Sequence, residues 1–231
     1  MKVSVETIKA DFDRIAMVAD DGWDHNVHYH QYLLNQIPLP CGTVLEIGCG
    51  TGAFSRLLAQ RAKQVVAVDL SPQMICLAKD RSSQYPNIEY RTVDVMTHHF
   101  DEGVDNEKFD CIVSIATLHH LEMEQILPKI RRLLKSDGLF VCLDLLRMRG
   151  ITDLLLSAFA IPFNIILKLI KTGRFRDSSQ VRQAWTEHGK NDSYLTINQI
   201  REITDDLLPG AEVKKHLFWR YSIIWRKAGD P

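Results

Sequence analysis

Two kinds of segment alternate along most of the chain, judged by the pattern of hydrophobic and polar positions. Short apolar runs bounded by polar or glycine residues predict buried strands at 43–47, 65–69, 88–93, 109–115 and 139–145. The segments between them carry apolar residues at helical spacing and predict connecting helices. This alternation is typical of a doubly wound, mostly parallel sheet with right-handed crossovers, so an α/β fold is expected.

The two ends of the chain depart from this alternation. Residues 1–40 predict two N-terminal helices, the second of which ends before Pro38. Residues 196–228 predict a final helix, capped by Thr196, and then two alternating strands that pair as an antiparallel hairpin. The whole chain is therefore expected to form a single domain.

Residues 147–195 predict a helical cap insertion between the fifth strand and the final helix. The stretch 151–170 is strongly apolar, but Pro162 and Lys168 are among the residues that interrupt it, so it falls short of an unbroken membrane span. Three interpretations of this stretch stay open. It could be a lid over an apolar substrate pocket, a peripheral membrane contact through 151–172, or a core or homodimer packing surface.

Composition and charge narrow the function classes. The chain has 231 residues, of which 45% are hydrophobic, and a net charge of −1, so it offers no basic field for a polyanion. DNA is therefore not expected as a partner, and RNA is disfavoured because the chain lacks a basic stripe. The five cysteines are odd in number and widely spaced, which predicts reduced, buried thiols in a cytoplasmic protein. No signal peptide is predicted at the N-terminus.

The strongest chemical signal is a glycine loop that follows the first predicted strand. Gly48, Gly50 and Gly52 interrupt the chain directly after the apolar run, and a helix is predicted from Ala53 onward. Glycines at such a corner permit positive φ and a close approach of the backbone to a ligand beyond the carboxyl end of the strand. No G-K-[ST] follows, which excludes a P-loop, whereas the relaxed dinucleotide pattern G-x-G-x-x-G/A is satisfied.

Acidic residues mark the ends of the first three predicted strands. Glu46 stands two positions before the first glycine, Asp69 ends the second strand, and Asp94 ends the third. A carboxylate at the end of the second strand is suited to accept hydrogen bonds from both ribose hydroxyls of an adenosine. The alternative role for Asp69 is a helix N-cap, but Ser71 can perform that role.

The stretches VLEIGCGTG and VVAVDLSPQMI together resemble the S-adenosylmethionine (SAM) site of class I methyltransferases. The resemblance implies a Rossmann-like seven-stranded sheet, a SAM-binding half at 43–146, and S-adenosyl-L-homocysteine as the product. It also implies that Asp94 binds the adenine amino group. The Trp-Asp-His-Asn preface and the C-terminal hairpin are similar to uncharacterised bacterial methyltransferases of the small-molecule type. The cofactor-binding residues that this resemblance implies are Glu46, Gly48, Cys49, Gly50, Gly52, Asp69, Leu70, Met74, Asp94, Val95 and Ile115.

Histidines and aromatic residues are candidates for the acceptor side of the site. His119 and His120 follow the fourth predicted strand, where a histidine can take a proton from an oxygen or nitrogen nucleophile. The alternative is a histidine at a helix start with its ring on a backbone carbonyl. No metal is expected, because no Cys or Glu stands at a known ligand spacing beside the N-terminal histidines. The candidate lid residues over cofactor or substrate are Trp23, Asn26, His28, Tyr29, His30, Trp185 and His188.

These features predict a SAM-dependent methyltransferase that acts on a small, partly apolar acceptor by direct displacement. DNA and protein-amide methyltransferases usually carry an Asn/Asp-Pro-Pro-Tyr/Phe loop after the fourth strand. Here that place is taken by residues 114–117, Ser-Ile-Ala-Thr, which disfavours both activities. Two alternatives from other classes stay open: a nicotinamide-dependent oxidoreductase and a non-catalytic SAM-binding partner protein.

Overall fold

A computed structural model describes residues 3–19, 24–100, 108–147, 169–170, 173, 178–190 and 192–229. The helices in these ranges are α1 (Val5–Ala16), α2 (His25–Leu34), α3 (Ala53–Leu58), α4 (Pro72–Arg81), α5 (Met123–Leu133), α6 (Ser179–His188) and α7 (Ile197–Leu207), and Leu118–His120 forms a 3₁₀ turn. The strands are β1 (Cys41–Ile47), β2 (Ala62–Asp69), β3 (Ile88–Thr92), β4 (Phe109–Ile115), β5 (Leu134–Leu145), β6 (Glu212–His216) and β7 (Arg220–Arg226).

The described strands form one seven-stranded sheet in the order β3-β2-β1-β4-β5-β7-β6. β1 to β5 pair in parallel, whereas β7 runs antiparallel to both β5 and β6. The strand order reverses between β1 and β4, and in open α/β sheets a ligand binds outside the carboxyl ends of the strands at such a reversal. The predicted fold, a mostly parallel seven-stranded sheet with a C-terminal antiparallel hairpin, is confirmed.

The central strands are apolar on both faces because helices cover both sides of the sheet. In β1, Leu45 packs in a core cluster with residues of α5 and α7, whereas its neighbour Val44 packs in a second cluster with residues of α2, α3 and α4. Both side chains are fully buried. Near-continuous apolar runs are the expected sequence of strands that are buried on both faces.

Side chains predicted to start helices do so in the structure. The Thr196 hydroxyl accepts from the Gln199 backbone N–H, and the Gln199 side chain accepts from the Thr196 backbone, which completes a capping box on α7. The Ser71 hydroxyl accepts from the Met74 N–H and caps α4. Because Ser71 caps α4, the carboxylate of Asp69 is not needed as the N-cap of that helix.

β5 begins earlier than predicted. The sequence predicts a turn at 136–138 and a strand from Leu139, but extended structure already begins at Leu134, which pairs with Phe109. The pairing register shifts between Phe109 and Cys111, and Asp137 has a φ of 61°. The predicted turn residues are therefore accommodated as an irregularity within a longer strand.

Much of the predicted cap lies outside the described residues. Residues 148–168 are not described. They include most of the segment 151–172, to which the lid, membrane and homodimer interpretations refer. Trp23 also lies outside the described ranges. Within them, no helix combines the length and the apolar character needed to cross a bilayer. The described part of the cap is mainly α6, which packs on α1.

All five cysteines are free thiols. Four of them are buried, as predicted, but the prediction is wrong for Cys76, which is exposed on α4. The buried face of that helix consists of Met74, Ile75 and Ala78, so position 76 points away from the sheet.

The turn between β6 and β7 has an unusual backbone. Phe218 and Trp219 both have a φ of 57°, a region that bulky residues rarely adopt. The buried ring of Phe218 stacks on His25 of α2 with 4.8 Å between ring centroids, and the Leu146 N–H donates to the Trp219 carbonyl at 2.9 Å. Contacts to α2 and to the residue after β5 therefore hold this turn in place.

Candidate functional site

The glycine loop joins β1 to α3 at the carboxyl edge of the sheet. Gly48, Gly50 and Gly52 have φ values of 75°, 50° and 75°, the left-handed region that glycine adopts without strain. The backbone N–H groups of Gly48 and Cys49 both donate to the Val68 carbonyl, at 2.9 and 3.0 Å. The loop is therefore tied to the end of β2, beside Asp69.

The three glycines differ in the space around them. A Cβ on Gly48 would lie 2.0 Å from the Thr117 hydroxyl oxygen, and a Cβ on Gly52 would lie 2.3 Å from the Tyr90 hydroxyl oxygen. A Cβ on Gly50 would meet no atom of the described residues within 4 Å. Gly50 is thus the loop position at which a ligand can approach the backbone.

Asp69 turns its carboxylate towards the glycine loop. Oδ2 accepts from the Gly50 N–H at 2.8 Å, and Oδ1 accepts from the Ser71 N–H at 2.9 Å. Burial raises the pKa of Asp69, and these two N–H groups oppose the rise. Each carboxylate oxygen has a second lone pair, so Asp69 can accept further hydrogen bonds from a ligand beside Gly50.

Glu46 is buried at the end of β1 and accepts from the Ser55 hydroxyl of α3 at 2.5 Å. Burial raises the pKa of Glu46 to about 8; the hydrogen bond from Ser55 opposes this and the nearby charge of Asp69 adds to it. The carboxyl group is therefore mostly protonated at neutral pH. In this arrangement Glu46 connects β1 to the first turn of α3 beneath the loop.

The buried Glu46 is expected to make the protein less stable as the pH rises from about 5 to about 8. In the unfolded chain its pKa returns to the ordinary value of 4.5, so in this range the unfolded state has released a proton that the folded state retains. Rising pH then favours unfolding, and the span from 4.5 to about 8 corresponds to roughly 4–5 kcal/mol. Glu46→Gln preserves an acceptor for Ser55 without titrating, so its Tm is expected to fall less over this range.

Thermal unfolding of both proteins across this pH range measures the effect. Glu89→Gln is the matched control, because Glu89 is an exposed carboxylate on β3, two strands from β1, and pairs with Arg91. This variant is expected to keep the wild-type pH dependence. Parallel Tm curves for Glu46→Gln and the wild type would contradict the assignment.

The other predicted cofactor residues lie along the same edge of the sheet. Asp94 follows β3, and its Oδ1 accepts from the Met96 N–H at 2.9 Å. Val95 and Met74 are buried, whereas Leu70 and Ile115 are partly exposed. Ile115 ends β4, and its neighbour Ser114 pairs with Ile47 beside the glycine loop.

A second polar group lies at the ends of β4 and β5. His119 Nδ1 lies 2.6 Å from Asp144 Oδ1, and the His119 backbone N–H donates to Asp144 Oδ2 at 2.9 Å. Burial alone would raise the pKa of Asp144, but His119 and a hydrogen bond from the Leu145 N–H bring it below its ordinary value. An ionised carboxylate only accepts, so Nδ1 of His119 donates to Asp144 and Nε2 is left for other partners.

His119 belongs to a cluster with His120, His188 and Asp192, whose ligand atoms all lie within 4.8 Å of one another. Asp192 lies between two of the rings, with 3.7 Å from its Oδ1 to His120 Nδ1 and 3.8 Å from its Oδ2 to His188 Nε2. Burial, together with the charges of the neighbouring His119 and His188, lowers the pKa of His120 to about 3. Within the described part of the chain, His120 Nε2 is buried without a hydrogen-bond partner.

Helix α1 covers one side of this four-residue cluster. Asp11 Oδ2 lies 3.4 Å from His188 Nδ1, and the ring of Phe12 lies 5.5 Å from that of His120 and 4.8 Å from that of His188, centroid to centroid. Trp185, on α6, is half-exposed with its ring 5.9 Å from His188. The cluster is thus enclosed between the first helix and the described part of the cap.

Residues of α2 connect the N-terminal segment to the β6–β7 turn. The Asn26 side-chain oxygen accepts from Arg220 Nε at 3.0 Å, and the Tyr29 hydroxyl donates to the Leu217 carbonyl at 3.0 Å. Burial raises the pKa of Tyr29 to about 12. The ring of His28 packs edge-on against Phe218.

His30 and Arg220 lie next to two different parts of the site. His30 packs on Phe54 of α3, with 4.9 Å between ring centroids, and burial lowers its pKa to about 4. Arg220 is buried at the start of β7, and its charge acts on Asp144. The segment before β1 therefore contacts both the glycine-loop helix and the surroundings of the His119–Asp144 pair.

Sequence reasoning named the histidines of the cluster but missed its carboxylates. Asp144 and Asp11 are far in sequence from the histidines that they meet, whereas Asp192 stands only four residues after His188. None of the three is part of a recognisable motif. The position of Asp144 could have identified it as a candidate site residue, because, like Asp69, it stands near the carboxyl end of a predicted central strand.

Comparison with known proteins identifies similar chains over nearly the whole length. A family model described as "Methyltransferase domain" matches residues 45–142, from β1 into β5. An uncharacterised methyltransferase of Mycobacterium tuberculosis is 29% identical over 213 residues, which are 90% of this chain and 98% of that protein.

Solved structures with the same fold contain SAM or its product. The N-methyltransferase NodS from Bradyrhizobium japonicum, in complex with S-adenosyl-L-homocysteine, has a TM-score of 0.57 at 19% identity, with coverage of 95% of this chain and 98% of NodS. Magnesium protoporphyrin IX methyltransferase from Synechocystis, with bound SAM, has a TM-score of 0.60 at 15% identity, with coverage of 98% of each chain.

Proposed function

The chain is a class I SAM-dependent methyltransferase, and from that premise we propose that it methylates a small, partly apolar acceptor by direct displacement, with His119 as the proton acceptor. The single observation that carries the proposal is the buried His119–Asp144 pair. It lies at the carboxyl edge of the sheet, one strand away from the glycine loop.

The residues at the first strand ends fit SAM. Gly50 leaves its backbone open, and the adjoining Asp69 carboxylate has spare lone pairs for the ribose hydroxyls. Asp94, at the end of β3, is the proposed partner of the adenine amino group. When bound, SAM supplies a methyl group whose bond to sulfur breaks, with the electron pair left on sulfur, as a lone pair of the acceptor forms the new bond.

His119 would take the proton that the acceptor loses. Asp144 holds the ring in the tautomer with a free Nε2 lone pair and stabilises the imidazolium that forms. Burial of both side chains, 6% and 0% exposed, excludes water from this pair. The remaining contribution of the protein is alignment of the acceptor with the methyl group.

The character of the acceptor is proposed from the surroundings of the pair. Phe12 and Tyr194 offer aromatic surface beside the histidines, and no basic stripe is present in the sequence to hold a nucleic acid. Among the similar structures, one is an N-methyltransferase and another is a magnesium protoporphyrin IX methyltransferase.

Transfer of a labelled methyl group tests the acceptor class. The purified chain, given SAM labelled in its methyl group and a lysate of the source organism, is expected to label molecules that pass an ultrafiltration membrane and enter organic solvent. A parallel reaction with Asp69→Ala is the control and is expected to transfer little label. Label that is retained with protein or nucleic acid, and released by protease or nuclease, would contradict a small acceptor.

A further inference from the structure

We propose that His119, His120, His188 and Asp192 bind one divalent transition-metal cation, and that Zn²⁺ is the ion that this donor set fits best. Three imidazoles and one carboxylate are a donor combination that zinc accepts in tetrahedral geometry. The four residues come from the 3₁₀ turn after β4, the end of α6 and the segment before α7.

The distances within the cluster are close to those of a coordination sphere. Ligand atoms bound to zinc at its usual bond lengths lie about 3.4 Å apart in a tetrahedron. The contacts of Asp192 with His120 and His188, at 3.7 and 3.8 Å, exceed this only slightly. The largest separation, 4.8 Å, requires a small inward rotation of the rings when the cation binds.

The buried ring of His120 is only partly satisfied by the described residues. The side chain of His120 is 8% exposed, and its Nε2 has no hydrogen-bond partner among the described residues. A buried polar atom without a partner costs free energy. The nitrogen of His120 that faces Asp192 is Nδ1, so Nδ1 is the atom through which this ring would bind the cation.

Carboxylates outside the cluster orient two of its rings. Asp144 lies at Nδ1 of His119 and Asp11 lies at Nδ1 of His188, so Nε2 of each ring is left for a cation. Pairs of this kind, a carboxylate behind a ligating histidine, are a regular feature of zinc sites. Asp11, Asp144 and Asp192 together also place negative charge near the cation.

Binding of the cation has a consequence for the proposed function. Since Nδ1 of His119 is engaged by Asp144, Nε2 is the nitrogen that either a metal or the acceptor proton would use. A bound cation is therefore expected to lower methyl transfer, and its removal by a chelator to restore it. The binding itself does not depend on the identity of the acceptor.

Direct binding measurements on the full chain test the site. After removal of metal with a chelator, the wild type is expected to bind one Zn²⁺ per chain in competition with a chromophoric chelator. With Co²⁺ it is expected to show the visible absorption of a four-coordinate ion. His188→Gln and Asp192→Asn are each expected to weaken binding by at least about tenfold to hundredfold.

His98→Gln is the matched control. His98 also has a buried Nε2 without a hydrogen-bond partner among the described residues, but it lies outside the cluster, so Zn²⁺ binding should be unchanged. Circular dichroism and SAM binding confirm that each variant is folded. Failure of the folded wild type to bind Zn²⁺, or an equal loss in His98→Gln, would overturn the proposal. Stoichiometric Zn²⁺ binding with undiminished turnover would support the metal site and count against His119 as the base.

Discussion

Asp69→Ala is expected to weaken SAM binding by about 100-fold or more. Hydrogen bonds to a charged acceptor contribute about 1.5–3 kcal/mol each, and the proposed arrangement has two ribose hydroxyls on this carboxylate. The substitution also removes the acceptor of the Gly50 and Ser71 N–H groups, so the loop loses a support at the position of closest ligand approach. Isothermal titration calorimetry with SAM measures the loss.

The control for this variant is Asp110→Ala. Asp110 also accepts a backbone N–H, from Thr43 at 2.7 Å, and pairs with Lys135, but it lies at the opposite end of the parallel strands. Its loss is expected to lower Tm and to leave the SAM affinity within a few-fold of the wild type. Tight SAM binding by Asp69→Ala, or an equal loss of affinity in Asp110→Ala, would show that the carboxylate of Asp69 does not hold the cofactor.

His119→Gln is expected to lower kcat by about 10²- to 10³-fold in metal-free buffer, with the SAM affinity unchanged. Glutamine can still donate to Asp144, so the position stays filled, but it cannot take a proton from the acceptor. Steady-state turnover with the acceptor found in the labelling experiment, together with calorimetry for SAM, separates the two quantities.

Asp144 should act through His119 and not independently. Asp144→Asn is expected to lower kcat, and the double variant should be little slower than His119→Gln alone, because the second change affects a group that the first has already disabled. His120→Gln, whose ring has no carboxylate within hydrogen-bond distance in the described structure, should retain kcat within a few-fold in the same buffer. Additive losses for His119 and Asp144, or an equal loss for His120, would contradict the assigned roles.

The sheet was predictable because its strands carry a local signal. Residues 109–115 were predicted as a strand with the bounds that the structure shows, since apolar side chains on both faces distinguish a central strand from its surroundings. The start of β5 was missed because Asp137 and Gly138 are typical turn residues. The pairing of Leu134 with Phe109 and a hydrogen bond from the Lys227 N–H to the Gly138 carbonyl include that stretch in the sheet. Local turn preference was overridden by a tertiary contact.

The glycine-loop half of the site could be predicted from the sequence, whereas the acidic partners in the histidine half could not. The glycine loop and Asp69 are close in sequence and have a recognisable spacing. In contrast, Asp144 meets His119 because β4 and β5 are neighbours, and Asp11 meets His188 because α1 packs on α6. Such meetings depend on topology, which no spacing in the sequence encodes, and so these two acidic partners were not predicted.

The turn at Phe218 and Trp219 makes the last hairpin dependent on the first helices. His25 of α2 covers the Phe218 ring, and Asn26 binds Arg220 at the start of β7. Loss of the N-terminal segment would uncover that ring and loosen the strand pairing next to β6, whose outer edge has no neighbour in the described sheet. An open edge strand is a template for aggregation, so a hairpin loosened in this way is expected to self-associate more readily than one that the N-terminal helices hold in place.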